Sequence, residues 1–438
     1  PPSAQCFVGI FGEQTKTPRC SVSAALLMKS LPPIEELRAH LEQHLVSRFV
    51  RFRSAWVRQP GQTCTLEPVE MDMSLHVTET EVSNEDGIRE ILAARGREEI
   101  PANGPLWDMV LVHNKGTGLS GIVARYDHAL ADGLSLLPIF DEIFTKQDGS
   151  RPGLSGSFTR RTTTPTGAGQ RLMSAVRYVL IVIRSLLKVA YIAGPLNPFD
   201  TKTILHPAAV RDHGLWSGRR HVCWTPLVPL ASFADLRKRR GVTVNDILTA
   251  ALAGTLRRYM QKHDDPALKG PLTVRMLLPF QFPRKSDPVK PLRNNFAFLT
   301  LNIPVGEADA AKRLDIVHTT LAEMKVSPEP LLIKGIQWVG ARLLPFAELQ
   351  KAARLLFQKH TLAFSNVPGP PETVYLCGRP IEAIRPCVFT LCNQVTAFSY
   401  RGQVGLSVEI DDEHMPDYEE FGALFQQEVE SLLASSGK

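Results

Sequence analysis

The sequence predicts an α/β protein made of two units of similar build. Three observations point there. At 438 residues the chain is too long for one ordinary hydrophobic core. Strand-like and helix-like periodicities alternate along both halves. Between the halves, residues 145–170 are rich in Ser, Thr, Gly, Pro and Arg, the composition of a linker. The expected division is a first domain over 1–150, a connecting segment over 151–215 and a second domain over 216–438.

Hydrophobic residues make up 44% and charged residues 21% of the chain, a globular rather than a disordered composition. The net charge of +6 is a mild bias over this length. It suits an anionic membrane surface or a phosphate-bearing ligand. No aromatic-studded basic motif is present, so nucleic acid is not an expected partner. The 7 cysteines include no CxxC pair and are odd in number, which reads as reduced thiols in a cytosol-facing protein. None stands in a nucleophile or zinc context, and no metal is expected. Pro1-Pro2-Ser3 carries no signal-peptide pattern.

In the first half, residues 7–11 read as a short strand. Pro32-Pro33 opens a helix through about Phe52, with Leu37, Leu41, Leu45 and Phe49 at four-residue steps along one face. Strand-like pieces follow up to Val77, and residues 85–96 read as a helix. Leu106–His113 and Leu119–His128 form a hairpin closed by Asn114-Lys115-Gly116-Thr117-Gly118. Alternation puts Ile122, Ala124, Tyr126 and His128 on one face, and Arg125 and Asp127 on the other. Gly133 ends the next turn, and Leu134–Phe144 reads as a helix.

Gln170–Ala193 is apolar but is interrupted by Arg171, Arg177, Arg184 and Lys188. The steps from 177 to 184 to 188 place those three charges on one side of a helix. No uncharged run reaches the ~18–20 residues that span a bilayer. The pattern fits a cationic amphipathic helix lying in a membrane interface. It also fits a partly buried interdomain helix with a solvated basic edge.

The second half restarts with a strand at 219–225 and a helix near 229–239. Thr243, with Asp246 three residues on, has capping-box spacing for a helix to about Lys262. Strands near 272–280 and 296–303 precede helices near 307–325 and 331–357. Thr361–Asn366 is a strand running into Val367-Pro368-Gly369-Pro370. A hairpin at about 388–400 and 403–410 precedes a helix from Asp417.

The chemistry gathers at His128-Ala129-Leu130-Ala131-Asp132-Gly133. Acyl transfer from a thioester to an alcohol needs a base, an oxyanion stabiliser and exclusion of water. An imidazole with a pKa of about 6.5 suits the first task. Asp132 could pair with an arginine to order the turn, or orient the imidazole directly. Gly133 permits close backbone approach or a positive φ. The same spacing also describes a hydrogen-bonded strand-end histidine before an Asp-Gly turn.

The HxxxDG spacing resembles the signature of chloramphenicol acetyltransferase-like enzymes. These include peptide-synthetase condensation domains, plant BAHD acyltransferases and the wax ester synthase/diacylglycerol acyltransferase family. Pro105-Leu106-Trp107 resembles the PLW motif of the last family, and Val244-Asn245-Asp246-Ile247-Leu248 resembles its NDxxL helix start. Leu278-Pro279-Phe280 through Arg284, then Asn294-Asn295, is similar to its PVSLR…GN region. Ser365-Asn366-Val367-Pro368-Gly369-Pro370 matches its SNVPGP. These motifs occur in the family's order, and the DFGWG motif of the plant enzymes is absent.

The resemblance implies two chloramphenicol acetyltransferase-like domains of mixed sheets flanked by helices, with an active-site channel between them. It implies long-chain acyl-CoA as donor and co-substrate, with no further cofactor. The acceptor is a fatty alcohol, giving a wax ester, or diacylglycerol, giving triacylglycerol. His128 is then the general base, with no acyl-enzyme, beside Asp132 and Gly133. Expected substrate contacts are Tyr126, Pro105, Trp107, Asn245, Asp246, Asn295, Ser365, Asn366, Pro368 and Gly369, with Arg284 as partner of Asp132. Structural roles stay open for Asn245 and Asp246 at a helix start, for Trp107 in a core and for Pro-Gly-Pro as a turn. Arg284 could equally be a surface charge. A peripheral membrane or lipid-droplet surface is the expected location, facing the cytosol: endoplasmic reticulum or lipid droplet in a eukaryote, the inner plasma-membrane face in a bacterium.

Two departures stand out. The family usually has HHxxxDG, and here Asp127 replaces the first histidine. Asn197-Pro198-Phe199-Asp200 is a loose version of its PFN-type segment. Two other readings remain: a related HxxxDG acyltransferase with another donor or acceptor, and a non-catalytic lipid-binding or lipid-droplet scaffold.

Overall fold

The computed structural model describes residues 20–57, 65–100, 104–154, 168–193, 199–208, 210, 219–282, 292 and 294–435. The strand expected at 7–11 and the side chain of Arg284 lie outside these residues.

The first half supplies strands β1 (Ser21–Met28), β2 (Val77–Val82), β3 (Trp107–Asn114) and β4 (Ser120–Asp127). The second half supplies β5 (Arg220–Trp224), β6 (Val274–Gln281), β7 (Phe296–Ile303), β8 (Leu362–Pro368), β9 (Ala383–Phe389), β10 (Asn393–Tyr400) and β11 (Gln403–Asp411). The first sheet has the order β9-β1-β4-β3-β2, and the main path of the second runs β7-β6-β8-β10-β11-β5. Strand β9 is the exception to a simple division of the chain. It leaves the second half and pairs antiparallel with β1, from Ser21 opposite Phe389 to Leu27 opposite Ala383. The hairpin expected from 388 is therefore two separate devices. β9 stitches the first sheet, and only β10 and β11 form the hairpin, from Gln394 opposite Glu409 to Tyr400 opposite Gln403.

Strands β10 and β11 are buried along nearly their whole length, as central strands covered on both faces are. The main helix of the second unit is Val244–Lys262, buried without a break from Asp246 to Leu256. Its start is the expected capping box: Asp246 N–H donates to Thr243 Oγ1 at 3.2 Å, and Thr243 N–H donates to Asp246 Oδ2 at 2.8 Å.

Three helices differ from expectation. Leu37, Leu41, Leu45 and Phe49 are all buried, so the first has the expected apolar face. The α-helical part, Ile34–Leu41, nevertheless passes into a π-turn at Glu42–Val46 and a 3-10 turn at Val50–Arg53. The segment after Gly133 opens as a 3-10 turn, Gly133–Leu136, before the helix Leu137–Ile143. The long helix expected over 331–357 is two helices, Glu329–Leu343 and Phe346–Gln358. Pro345 forces Leu344 into an extended conformation, with ψ 140°, and ends the first.

The linker helix Ala168–Ala193 turns a narrow stripe inward: Ile181, Ser185 and Val189, at four-residue steps, are buried. Its basic edge is engaged at one point and open to solvent at another, with Arg184 73% exposed. Lys188 Nζ donates to Glu329 Oε2 at 2.9 Å and to the Thr300 carbonyl at 2.8 Å, and Arg184 lies 3.4 Å from Glu323. Among the described residues, no helix is long and apolar enough to cross a membrane.

Candidate active site

Strand β4 ends at the junction of the two units. The His128 N–H donates to the Cys20 carbonyl at 3.0 Å, and the Asp127 N–H donates to the Leu106 carbonyl at 2.9 Å. Alternation holds through this point. Arg125, on the opposite face, is buried and paired with Asp108, its Nε 3.1 Å from Asp108 Oδ2. Helix Asp86–Arg97 covers that face, and Arg125 also donates to the Glu98 carbonyl at 2.8 Å. Asp127 has a local task of its own: its Oδ1 accepts the Ala129 N–H at 2.8 Å. A carboxylate that accepts from the amide two residues on starts a turn. The residue standing in for the usual histidine thus bends the chain directly behind His128.

The loop after His128 is held by three carbonyl contacts and one carboxylate. Asn294 Nδ2 donates to the carbonyls of His128 and Ala129, at 3.0 and 3.1 Å. Arg51 donates to the Leu130 carbonyl at 2.8 Å. Asp132 Oδ1 accepts from the N–H and hydroxyl of Ser135, at 2.9 and 2.8 Å, while Oδ2 accepts the Asn295 N–H at 2.7 Å. Both oxygens of this buried carboxylate are thus engaged by Ser135 and by the backbone of the second unit. Arg284, the arginine expected as partner of Asp132, lies outside the described residues. Asn295 acts on Asp132 through its backbone, and its side-chain oxygen accepts from Lys334 at 2.6 Å. Gly133 has no positive φ. A Cβ there would sit 3.1 Å from the side-chain nitrogen of Gln281, so the glycine accommodates a close approach by the end of β6.

His128 is half-buried, its ring 5.6 Å from that of Phe296 on β7 and inclined at 55°. Burial pushes its pKa below the ordinary 6.5, and the nearby Asp132 charge offsets this only in part. At neutral pH the imidazole is therefore uncharged. Tyr126, two residues back on the same face, is pushed well above 10 by burial and keeps its proton.

The other expected contacts divide between scaffold and seam. Trp107 is buried, with its indole N–H donating to the Phe52 carbonyl at 2.7 Å and its ring packed near Phe52 and His76. It fills the first unit's core beside buried Pro105, and the open alternative of a core role is the one observed. Asp246 closes the capping box and also meets His318 Nδ1 at 2.8 Å, again a structural role. Asn245 and Asn366 are brought together, with Asn366 Nδ2 donating to Asn245 Oδ1 at 2.9 Å. Ser365 accepts from Gln394 at 3.3 Å. Pro368 is exposed at the end of β8, and the Gly369 N–H donates to the Ser399 carbonyl at 2.9 Å. Gly369 is tightly placed: a Cβ would overlap the Phe398 ring and the Ser399 carbonyl. Sequence reasoning missed Arg51, Gln281, Phe296 and Gln394, none of which sits in a local pattern that marks it. Asn294 was visible only as the neighbour of Asn295.

An HxxxDG loop at the seam of two mixed α/β units, its imidazole kept neutral, defines a chloramphenicol acetyltransferase-like acyltransferase. The chain belongs to the wax ester synthase/diacylglycerol acyltransferase family, a family of O-acyltransferases. That family's catalytic-domain model matches residues 21–248, and its C-terminal-domain model matches residues 292–433. The chain is 24% identical over 360 residues to the O-acyltransferase WSD of Acinetobacter baylyi, covering 78% of this chain and 77% of that one. It is 23% identical over 369 residues to a Mycobacterium tuberculosis protein named "probable diacylglycerol O-acyltransferase", covering 81% and 77%. In fold it is similar to the wax ester synthase/diacylglycerol acyltransferase of Marinobacter aquaeolei, with a TM-score of 0.67, 19% identity and coverage of 100% and 99%. It is also similar to the cyclization-docking bidomain of a Sorangium cellulosum peptide synthetase, with a TM-score of 0.57, 15% identity and coverage of 100% and 84%.

Proposed function

We propose that this O-acyltransferase moves a long-chain acyl group from acyl-CoA to a fatty alcohol or diacylglycerol, with His128 as general base. The observation that carries this is the clamped loop. A neutral imidazole on the end of β4 is held against the second unit by Asn294 and Asn295. The names of similar proteins, a diacylglycerol O-acyltransferase and a wax ester synthase/diacylglycerol acyltransferase, support the acceptor classes.

In the proposed step, His128 takes the proton of the acceptor hydroxyl as its oxygen attacks the thioester carbon. The tetrahedral intermediate collapses, the carbon–sulfur bond breaks, and the imidazolium returns the proton to the CoA thiolate. The acyl group passes directly between substrates with no acyl-enzyme, and no cofactor enters besides the co-substrate. A channel along the seam would bring donor and acceptor from opposite mouths and keep water out. The acceptors reside in membranes. This favours a peripheral, cytosol-facing location on a bilayer or lipid droplet, with the Ala168–Ala193 helix as contact.

The test is direct. Purified protein is incubated with labelled palmitoyl-CoA and either hexadecanol or diacylglycerol, and ester products are separated. Wild-type protein should form product and His128→Ala should lose nearly all of it. Undiminished product in the variant would overturn the general-base role, and no product with either acceptor would favour a lipid-binding scaffold.

A further inference from the structure

Two helices leave large apolar side chains outside any core. On the Ala168–Ala193 helix, Val179, Leu180, Ile183, Leu186 and Leu187 point away from the buried Ile181–Ser185–Val189 stripe, and Leu187 is 67% exposed. The helix Glu329–Leu343 packs against it and along β7. Only Glu329 and Pro330 of that second helix are buried, while Leu331, Ile336, Trp338, Val339 and Leu343 are exposed, Leu343 to 76%. Scattered apolar residues on a surface need no explanation, but adjoining apolar faces on two packed helices do.

The charges around these faces identify what covers them. The Ala168–Ala193 helix contains Arg171, Arg177, Arg184 and Lys188 and no acidic residue. On Glu329–Leu343 the sole carboxylate, Glu329, is buried against Lys188. Lys334 and Arg342 remain at the surface, and the Arg342 guanidinium lies 4.7 Å above the Trp338 ring. Cations beside apolar side chains, with an aromatic ring among them, match the layered chemistry of an anionic lipid interface. Two copies of this chain laid face to face would instead oppose cation to cation.

We infer that the two helices form one docking face for an anionic phospholipid surface, and that Glu329–Leu343 inserts alongside Ala168–Ala193. This rests on the proposed lipid acceptor for its purpose, though not for its observations. The inner edge of Glu329–Leu343 reaches the site: Lys334 Nζ donates to Asn295 Oδ1 and lies 4.4 Å from the Phe282 ring centroid, and Asn295 N–H holds Asp132.

The experiment uses the full chain and vesicles of phosphatidylcholine with and without phosphatidylglycerol. Wild-type protein should float with the anionic vesicles, and brominated phospholipid should quench an emission component that Trp338→Phe removes. Ile336→Asp and Leu343→Asp should each weaken vesicle binding at least tenfold, as Leu187→Asp should. Transfer to a water-soluble short-chain alcohol should be unchanged, which separates lost docking from lost folding and from failure of the proposed reaction. Full binding by both Glu329–Leu343 variants, with Trp338 unquenched, overturns the inference. So does a lipid-free dimer that those variants split, since the face would then be covered by a second copy.

Discussion

The side-chain amide of Asn294 joins the two halves of the chain at the HxxxDG histidine: it donates to the carbonyl of His128 at 3.0 Å and to that of Ala129 at 3.1 Å. Its neighbour Asn295 holds Asp132 with its backbone N–H at 2.7 Å. The His128 loop therefore belongs to one unit and is held in place by the other.

Asn294→Ala removes the side-chain donor to the His128 and Ala129 carbonyls. We expect kcat to fall roughly 10- to 100-fold through misplacement of the imidazole. Stability should drop by about 1–2 kcal/mol. Single-turnover rates and urea unfolding measure the two effects separately, and an unchanged kcat in a folded variant would remove Asn294 from the positioning role.

The acidic limb of the pH–rate profile should lie below pH 6.5, because burial lowers the His128 pKa and the base works only when unprotonated. Asp132 opposes that shift. Asp132→Asn should therefore move the limb to still lower pH while kcat falls, because its amide nitrogen cannot accept from Asn295. A limb moving upward in the profile of kcat/KM would contradict the geometry described for this carboxylate.

Asp127→Asn retains an oxygen for the Ala129 N–H and should stay close to wild type in stability and rate. Asp127→Ala loses the turn contact and should cost about 1 kcal/mol. Asp127→His, which restores the commoner family residue, should fall with the alanine variant in thermal denaturation. A gain in activity for Asp127→His would show that the aspartate is a handicap and not a turn-former.

His360 is buried, with Nδ1 2.6 Å from the Leu356 carbonyl and Nε2 2.9 Å from Thr300 Oγ1, and burial lowers its pKa from 6.5 to about 4. The unfolded chain binds the proton first, so stability present above pH 6.5 is lost as pH falls toward 4. The loss from this residue amounts to up to about 3 kcal/mol. His360→Gln should flatten the dependence of unfolding free energy on pH across that window. His414, whose pKa burial also lowers, leaves a residual slope.

Gly369→Ala drives a methyl group into the Phe398 ring and the Ser399 carbonyl. A loss of about 1–3 kcal/mol is expected from such overpacking. Chemical denaturation of this variant beside Gly402→Ala, a positive-φ turn glycine with open space around it, separates crowding from backbone strain.

Much of the site was legible because its cues are local. Strand alternation separated His128 from Arg125 and Asp127, and the Thr243–Asp246 spacing marked a capping box that the structure contains. The PLW, ND and SNVPGP stretches were found, but their roles were mixed. Trp107 and Asp246 serve the scaffold, whereas Asn245, Ser365 and Asn366 make polar contacts between elements distant in sequence. The break at Pro345 was readable in principle, since a proline restricts the residue before it.

By itself the sequence determined the α/β class and the HxxxDG loop with its imidazole at a strand end. Those depend on side-chain type and on periodicities only a few residues long. The tertiary structure alone decided what holds Asp132, which sheet receives β9, and which way the Ala168–Ala193 helix turns its apolar arc. Each depends on partners far along the chain, from Asn295 at Asp132 to Glu329 at Lys188. A hydrogen bond across such a separation leaves no period in the sequence, because nothing near either residue along the chain encodes the other.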